Sequence, residues 1–210
     1  VGISELEFPS SHQDLPTPDT RIASGQGDAR DIGHATHVTG LACAKNNGLG
    51  VIGVAPACTL EQAAFYAATT MWPNGPNTQA VTTYEPSQLR VLKELIASGA
   101  RVINASWGQV LPCESEKTAC STDDVNIYEA HYSSTQEYQT KGTNAFAQLM
   151  TANPQALLII SAGNDSLPVE TNTWATYASR HNIPNVISVA SVDENAHLSY
   201  FSNFGDEVDI

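Results

Sequence analysis

The feature that most constrains this chain is the stretch 31–60, where two histidines among small residues precede an apolar segment. From Thr36 onward apolar residues recur at helical spacing, which predicts a helix with His34 in its first turn. The residues at 46–48, Asn-Asn-Gly, break this pattern and predict the end of the helix. The apolar run at 51–56 then predicts an extended segment.

His34 and His37 are candidates for chemistry. A histidine at a helix start, flanked by small residues, can present its imidazole to a second group, as a general base must. Two other interpretations stay open, namely a hydrogen-bonded pair in a polar helix start and a metal site. The metal site is disfavoured because the pair lacks the Glu of H-E-x-x-H and no obvious third ligand follows.

The letters GHATHVTGLACAKNNGLGVIGVAP, residues 33–56, resemble the histidine motif of subtilisin-like serine peptidases. In that family a G-H-G-T-H-V-A-G helix start precedes an Asn-bearing loop and a G-V-A-P turn. The resemblance implies that His34 is the catalytic base and His37 a structural neighbour. Ala35 departs from the family's usual Gly, and a methyl group there can crowd the backbone near the site.

Composition narrows the possible partners. The 210 residues suit one large domain, 1–210, with a substantial core. Nine basic against 22 acidic residues give a net charge of −13, which argues against nucleic acid and an anionic membrane surface as partners. The longest aliphatic run, 156–160, is too short to span a bilayer. Because no initiator Met or basic leader opens the chain, we expect the numbering to start inside a longer precursor.

The cysteines bear on the compartment. Four of them allow three full pairings. Cys113 and Cys120 bracket a short polar loop, and we predict that they are bridged, which implies an oxidising compartment. For Cys43 and Cys58, a disulfide and two buried free thiols both stay open. We therefore expect a secreted, periplasmic or cell-surface protein.

Strands and helices alternate along the chain. Besides the His34 helix, we predict helices at 86–98 and 134–152, loops at 10–27 and 69–85, an insertion at 110–124, and strands at 1–3, 60–68, 101–106, 156–161 and 185–190. This alternation is typical of an α/β fold with a parallel sheet. The resemblance implies a three-layer fold, with a largely parallel central sheet between helices on both faces, that is incomplete at its C-terminal end.

Catalytic groups in open parallel sheets gather at the carboxyl ends of strands. Residues 101–108, RVINASWG, resemble the family's V-I-N-x-S-x-G segment, which implies that Ser106, Trp107 and Gly108 face an extended peptide substrate. An ordinary strand that runs into a glycine turn is the alternative.

A second strand end carries Asn164. Residues 157–165, LLIISAGND, resemble the family's A-A-G-N segment, which implies that the Asn164 amide donates to an oxyanion hole. A turn-forming Asn after Gly163 is the alternative. Residues 185–209 also match the family's late segment, which contains S-x-F/Y-S-N-x-G.

The acid of the family's triad is an Asp at the end of the first strand, followed by H-P-D-L. Here HQDL at 12–15 sets the register, so the Asp position falls on Glu5 and the family's following Gly on Glu7. Glu5 as the acid that orients His34 is one interpretation. A solvated acidic strand end is the other.

The family's nucleophile lies in a G-T-S-x-A-x-P segment that would follow Ile210. Ser24, Ser106 and Ser161 lack those surroundings. We therefore expect the serine on sequence outside these residues, either in a longer protein or on a companion chain that carries the C-terminal part of the domain. Alone, this chain is expected to be inactive and to leave one flank of its core uncovered.

The resemblance also implies a structural Ca²⁺. Asp14 and Asn47 fall on the family's ligand positions, with carbonyl oxygens of Lys45, Leu49 and Val51 as further ligands. An ordinary Asn-Gly loop is the alternative.

Three functions are compared. The first is a serine endopeptidase that acts on extended peptides through His34, Glu5, Asn164 and an external serine. The second is an inactive peptidase-like module that binds peptides or proteins, which the departures Glu5, Glu7 and Ala35 favour. A small-molecule α/β enzyme is disfavoured because no Gly-rich phosphate loop appears.

Overall fold

A computed structural model describes residues 1–24, 32–65, 87–107, 136–166, 168–169 and 173–210. These residues divide into two compact units, the first Val1–Ser106 with Gln155–Leu157 and the second Trp107–Pro154 with Leu158–Ile210. That the whole chain forms one domain stays a prediction. Among the described residues, no helix has both the length and the apolar character to cross a membrane.

The first unit contains four strands, namely β1 (Gly2–Glu5), β2 (Thr20–Ser24), β3 (Glu61–Phe65) and β4 (Val102–Ala105). Their order is β2-β3-β1-β4, and each neighbouring pair is parallel. Every residue of β1 and β3 is buried, as in parallel strands covered on both faces.

The described part of the first unit also contains two helices, α1 (Ile32–Cys43) and α2 (Ser87–Ala97). Leu89, Leu92 and Leu95 recur at helical spacing on α2 and are fully buried. After α2, Gly99 adopts a positive φ of 99°, and the Ala100 N–H donates to the Leu95 carbonyl at 3.0 Å. This left-handed glycine ends the helix, close to the end of the predicted helix 86–98.

The C-terminal end of α1 is anchored covalently and by hydrogen bonds. Cys43 and Cys58 form a disulfide that packs with Ile3 and Leu60 in the core. The predicted extended segment 51–56 is not a strand. Instead, N–H groups at 53–55 donate to carbonyls at the end of α1 and satisfy part of its last turn.

The second unit contains α3 (Gln136–Ala152), most of β5 (Leu157–Ser161), α4 (Thr173–Arg180) and β6 (Val186–Val189). Strands β5 and β6 are parallel, with Leu158 opposite Val186. The buried side chain of Asn185 donates through Nδ2 to the carbonyls of Met150 and Asn153, at 3.0 and 3.1 Å. These bonds join the end of α3 to the start of β6.

The predicted α/β class with parallel strands is confirmed. The prediction that residues 10–27 are entirely loop is wrong, because Thr20–Ser24 forms β2 and pairs along its length with β3. Helix α4 was not predicted. The predicted loop 69–85, the insertion 110–124 and the bridge between Cys113 and Cys120 lie outside the described residues.

Candidate active site

A buried acid and a half-exposed histidine meet where β1 ends. Glu5 is the last residue of β1, and His34 lies in the first turn of α1. The Glu5 Oε2 atom is 2.9 Å from His34 Nδ1, and the two side chains are 3% and 49% exposed. Glu5 is therefore not a solvated strand end. A carboxylate only accepts hydrogen bonds, so this contact favours the proton on Nδ1 and leaves Nε2 as an acceptor.

Thr36 connects the loop after β1 to the first turn of α1. Its hydroxyl donates to the Ile32 carbonyl at 2.6 Å and accepts the Ser10 N–H at 2.9 Å. Because Ser10 follows β1 closely, this bridge restrains the segments that carry Glu5 and His34. The role of Thr36 was not predicted from the sequence, although the residue lies inside the histidine motif.

The structure also describes three further positions that the sequence analysis named, Ala35, His37 and Glu7. Ala35 is buried, and its methyl group coexists with the short contact between Glu5 and His34. His37 is exposed. Glu7, at the position where the family has Gly, is buried.

Asn164 is exposed on a turn that directly follows β5. The preceding residue, Gly163, has a φ of 116°, and a Cβ on it would clash with Nδ2 of Asn203. Asn203 is fully buried, accepts the Asp165 N–H through Oδ1 at 2.9 Å and donates through Nδ2 to the Ala162 carbonyl at 3.1 Å. The turn is therefore fixed on both sides of Asn164. From the sequence, Asn203 was recognised only as the Asn of the S-x-F/Y-S-N-x-G pattern, without a role.

The predicted substrate-binding residues follow β4. The Ser106 hydroxyl accepts a hydrogen bond from Asn104 Nδ2 at 2.8 Å in the first unit. In the second unit, the Trp107 carbonyl accepts a hydrogen bond from the Ser161 hydroxyl at 2.9 Å. The Trp107 ring packs edge-on against the ring of Trp174. Gly108 lies outside the described residues. Of the predicted catalytic residues, the structure brings Glu5 and His34 together in the first unit, while Asn164 belongs to the second.

Two of the predicted calcium-binding residues, Lys45 and Val51, form hydrogen bonds to a third, Asp14. The N–H of Val51 donates to Asp14 Oδ2 at 3.0 Å, and the N–H of Lys45 donates to the Asp14 carbonyl at 2.8 Å. Asn47 accepts the Leu49 N–H at 3.0 Å. The other carboxylate oxygen, Asp14 Oδ1, is buried and has no hydrogen-bond partner in the described part of the chain.

This arrangement fits a hard cation. A buried carboxylate oxygen without a donor is costly unless a cation or a water binds it, and Ca²⁺ takes carboxylate, amide and carbonyl oxygens as ligands. Among the described residues there is no cluster of three or more His, Cys, Asp or Glu side chains that would hold a metal. The fit therefore depends on Asp14 together with amide and carbonyl oxygens.

Comparison with known proteins agrees with this fold. Residues 8–210 match the model of the subtilase family, Peptidase_S8. The chain therefore belongs to the subtilase family.

The sequence identity to two individual relatives is 30% and 27%. The chain is 30% identical over 200 residues to the thermostable alkaline protease of Halalkalibacterium halodurans, covering 92% of this chain and 43% of the relative. It is 27% identical over 208 residues to the minor extracellular protease Epr of Bacillus subtilis, covering 99% and 23%. The structure of the prenylagaramide maturation protease PagA aligns with a TM-score of 0.54 at 20% identity, over 99% of this chain and 60% of that one. The chain thus spans less than half the length of either sequence relative.

Proposed function

We propose that the protein containing this chain is a serine endopeptidase that cleaves extended peptides by acyl transfer. The observation that carries the proposal is the 2.9 Å contact between His34 Nδ1 and the buried Glu5 carboxylate. In a nucleophile–base–acid arrangement, the acid fixes the tautomer of the imidazole and stabilises the positive charge of the imidazolium. Membership of the subtilase family supports the same reaction class.

In the proposed mechanism, Nε2 of His34 takes the proton of a serine hydroxyl, whose oxygen attacks the peptide carbonyl carbon. The tetrahedral intermediate collapses when the C–N bond breaks and the imidazolium returns the proton to the leaving amine. Water, deprotonated by His34, then hydrolyses the acyl-enzyme. The serine is assigned to sequence outside these 210 residues, in a longer protein or on a companion chain.

Asn164 is proposed to donate its side-chain amide to the developing oxyanion, for which an exposed amide on a fixed turn is suited. Ser106, Trp107 and Gly108 are proposed to line the peptide, with backbone hydrogen bonds that extend the sheet by β-augmentation. The position of Ser106 and Trp107 directly after β4 supports this role.

A fluorophosphonate probe on the full-length gene product tests the proposal, because the probe reacts only with an activated serine. We expect one labelled serine, located by peptide mapping, and loss of labelling in His34→Ala. His37→Ala is the matched control and should label normally, since His37 is exposed and outside the proposed pair. A folded protein that does not label contradicts the proposal.

The second candidate is a catalytically inactive, peptide-binding module. Its support is the longer Glu5 at the Asp position and a buried Glu7 at the Gly position. It predicts a folded protein that binds extended peptides without labelling and without hydrolysis. The same probe experiment therefore separates the two candidates.

We also propose that Asp14 and Asn47, with the carbonyls of Lys45, Leu49 and Val51, hold a structural Ca²⁺. The supporting observation is that the buried Asp14 Oδ1 has no hydrogen-bond partner among the described residues. When bound, the ion would supply a positive charge that neutralises this carboxylate and ties the loop to residue 14. Calorimetric titration after chelation should give one binding event that Asp14→Asn weakens, and absence of heat in the parent protein would contradict the proposal.

The protein is proposed to be secreted. A disulfide between Cys43 and Cys58 persists in oxidising compartments and is rare in the cytosol. The extracellular relative in Bacillus subtilis supports the same location. A cytosolic location of the full-length protein would contradict it.

A further inference from the structure

We propose that Asn203 is a positioning residue that fixes the direction of the Asn164 amide. The inference deepens the proposed function and rests on the oxyanion role of Asn164. It concerns only the second unit, in which the turn after β5 and the loop containing Asn203 lie side by side.

Asn203 bonds to the residues on both sides of Asn164. Its backbone N–H donates to the Gly163 carbonyl at 3.0 Å, and its Nδ2 donates to the Ala162 carbonyl at 3.1 Å. On the other side, Oδ1 accepts the Asp165 N–H at 2.9 Å, and Nδ2 lies 3.3 Å from Asp165 Oδ2. One buried side chain thus restrains the peptide units before and after the proposed oxyanion donor.

The chemistry of these partners fixes the orientation of the Asn203 amide. Oδ1 must face the Asp165 N–H, and Nδ2 must face the Ala162 carbonyl. In the reverse orientation, Nδ2 would face another donor, the Asp165 N–H, and Oδ1 would face another acceptor, the Ala162 carbonyl. An aspartate at this position would direct an acceptor at both the Ala162 carbonyl and the Asp165 carboxylate. The site therefore requires an amide and not merely a side chain of this size.

The shape of the turn leads to the same conclusion. Gly163 has a φ of 116°, and the space where a Cβ would lie is filled by Nδ2 of Asn203. The missing side chain lets the Asn203 amide approach the backbone closely. Gly163 and Asn203 are thus a complementary pair that directs Asn164 outward.

Asn203 is itself held firmly. The Ser202 hydroxyl donates to the Asn203 carbonyl at 3.0 Å and accepts the Ser191 N–H at 2.9 Å. Beyond the turn, the N–H groups of Ser166 and Val169 donate to the carbonyls of Phe201 and Phe204, at 2.9 and 2.7 Å. The restraint on Asn164 is therefore anchored to a hydrogen-bonded loop.

Such a restraint matters because an oxyanion donor works only when it is aimed at the developing charge. Loss of one donor costs about 10²–10³-fold in kcat, and a misplacement of about 1 Å costs about 10²-fold. A positioning residue should therefore act on kcat, with little change in KM.

The test compares Asn203→Ala with Asn185→Ala in the full-length gene product. Asn185 is the matched control, because it is also a buried Asn. Its Nδ2 donates to two backbone carbonyls at the end of α3, away from Asn164 in the sequence. We expect Asn203→Ala to lower kcat about 10–100-fold with KM within about twofold. Hydrogen exchange of the Asp165 N–H, which loses its acceptor, should accelerate. Asn185→Ala should lose comparable stability and keep both kcat and the Asp165 protection.

A double-mutant cycle separates positioning from general damage. If Asn203 acts through Asn164, Asn203→Ala in an Asn164→Ala background should lower kcat less than about twofold further. Additive losses in kcat, or an unchanged kcat despite faster exchange at Asp165, would overturn the inference. Asn203→Ser, which supplies one hydroxyl in place of the amide, replaces the alanine variant if that variant does not fold.

Failure of the proposed function gives a different result. If Asn164→Ala alone leaves kcat unchanged, the oxyanion role is wrong, and this inference is overturned with it. If Asn164→Ala lowers kcat and Asn203→Ala does not, the inference alone is wrong.

Discussion

Two glycines, each directly before a proposed catalytic residue, have opposite surroundings. Gly33 precedes His34 in the first turn of α1, and a Cβ on it would meet nothing within 4 Å. Gly163 precedes Asn164 at a φ of 116°, and a Cβ on it would clash with the buried Asn203. A glycine before a proposed catalytic residue is thus required by its surroundings at position 163, and the surroundings of position 33 do not require one.

The difference indicates how each of these two proposed catalytic residues is held. His34 is oriented by a side chain, through its 2.9 Å contact with Glu5, on an ordinary helix. Asn164 is oriented by its backbone turn and by Asn203. The orientation of His34 should therefore be sensitive to a change of the Glu5 side chain. The orientation of Asn164 should be sensitive to a side chain added at Gly163.

The largest effect is expected from Glu5→Gln. The amide keeps the size of the side chain but can donate to Nδ1 and so favours the wrong tautomer of His34. We expect kcat for peptide hydrolysis to fall about 10⁴-fold, which corresponds to about 5.5 kcal/mol of transition-state stabilisation. Steady-state kinetics of the full-length protein measures it.

Glu61→Gln is the control for that substitution. Glu61 is also a buried acid, it lies in the adjacent strand β3, and it pairs with Gly2 at the opposite end of β1. Its kcat should stay within about twofold of the parent value. Equal losses in both variants would show that burial, and not the contact with His34, determines the effect.

A smaller effect is expected from removing the disulfide at the other end of α1. Cys43 and Cys58 are separated by 15 residues, and closure of such a loop is worth about 3 kcal/mol. The double variant Cys43→Ser with Cys58→Ser should lose about that free energy of unfolding in urea. An unchanged urea midpoint would mean that hydrogen bonds alone anchor the end of α1.

Gly163→Ala should cost about 2 kcal/mol, because a left-handed φ and the clash with Asn203 both oppose a side chain. It should also lower kcat, since Asn164 turns with the strained peptide. Urea unfolding and steady-state kinetics of the same preparation measure both effects. A variant with parent stability would contradict the close packing of Gly163 on Asn203.

Gly33→Ala is the matched variant next to His34 and has the smallest expected effect. An added methyl meets open space in a helix, so stability should rise by up to about 1 kcal/mol, with kcat unchanged. A loss of stability comparable to that of Gly163→Ala would remove the contrast between the two glycines.

Local patterns predicted the elements that depend on local chemistry. The helical spacing around His34, the leucine stripe of α2 and the apolar run of β5 each correspond to an observed element. Strand β2 was missed because only Ile22 among its described side chains is buried, and its pairing with β3 is nonlocal. The turns around 51–56 were missed because their N–H groups bond to carbonyls of residues 41–44, and helix α4 was missed as well.

The site followed a similar division. Family resemblance identified Glu5 and His34, but no pattern within the sequence gives the 2.9 Å distance between residues 29 positions apart. Asn203 and Thr36 were missed because their importance lies in hydrogen bonds to distant backbone groups. Asn203, for example, lies 38 positions after the Asp165 whose N–H it accepts.

The tautomer of His34, measured by ¹⁵N-edited NMR of the full-length protein at neutral pH, tests the central claim most directly. The contact with Glu5 predicts that the neutral imidazole carries its proton on Nδ1 and none on Nε2, and Glu5→Gln should abolish that preference. A His34 ring protonated on Nε2, or one that exchanges between both tautomers in the parent protein, would contradict its assignment as the base.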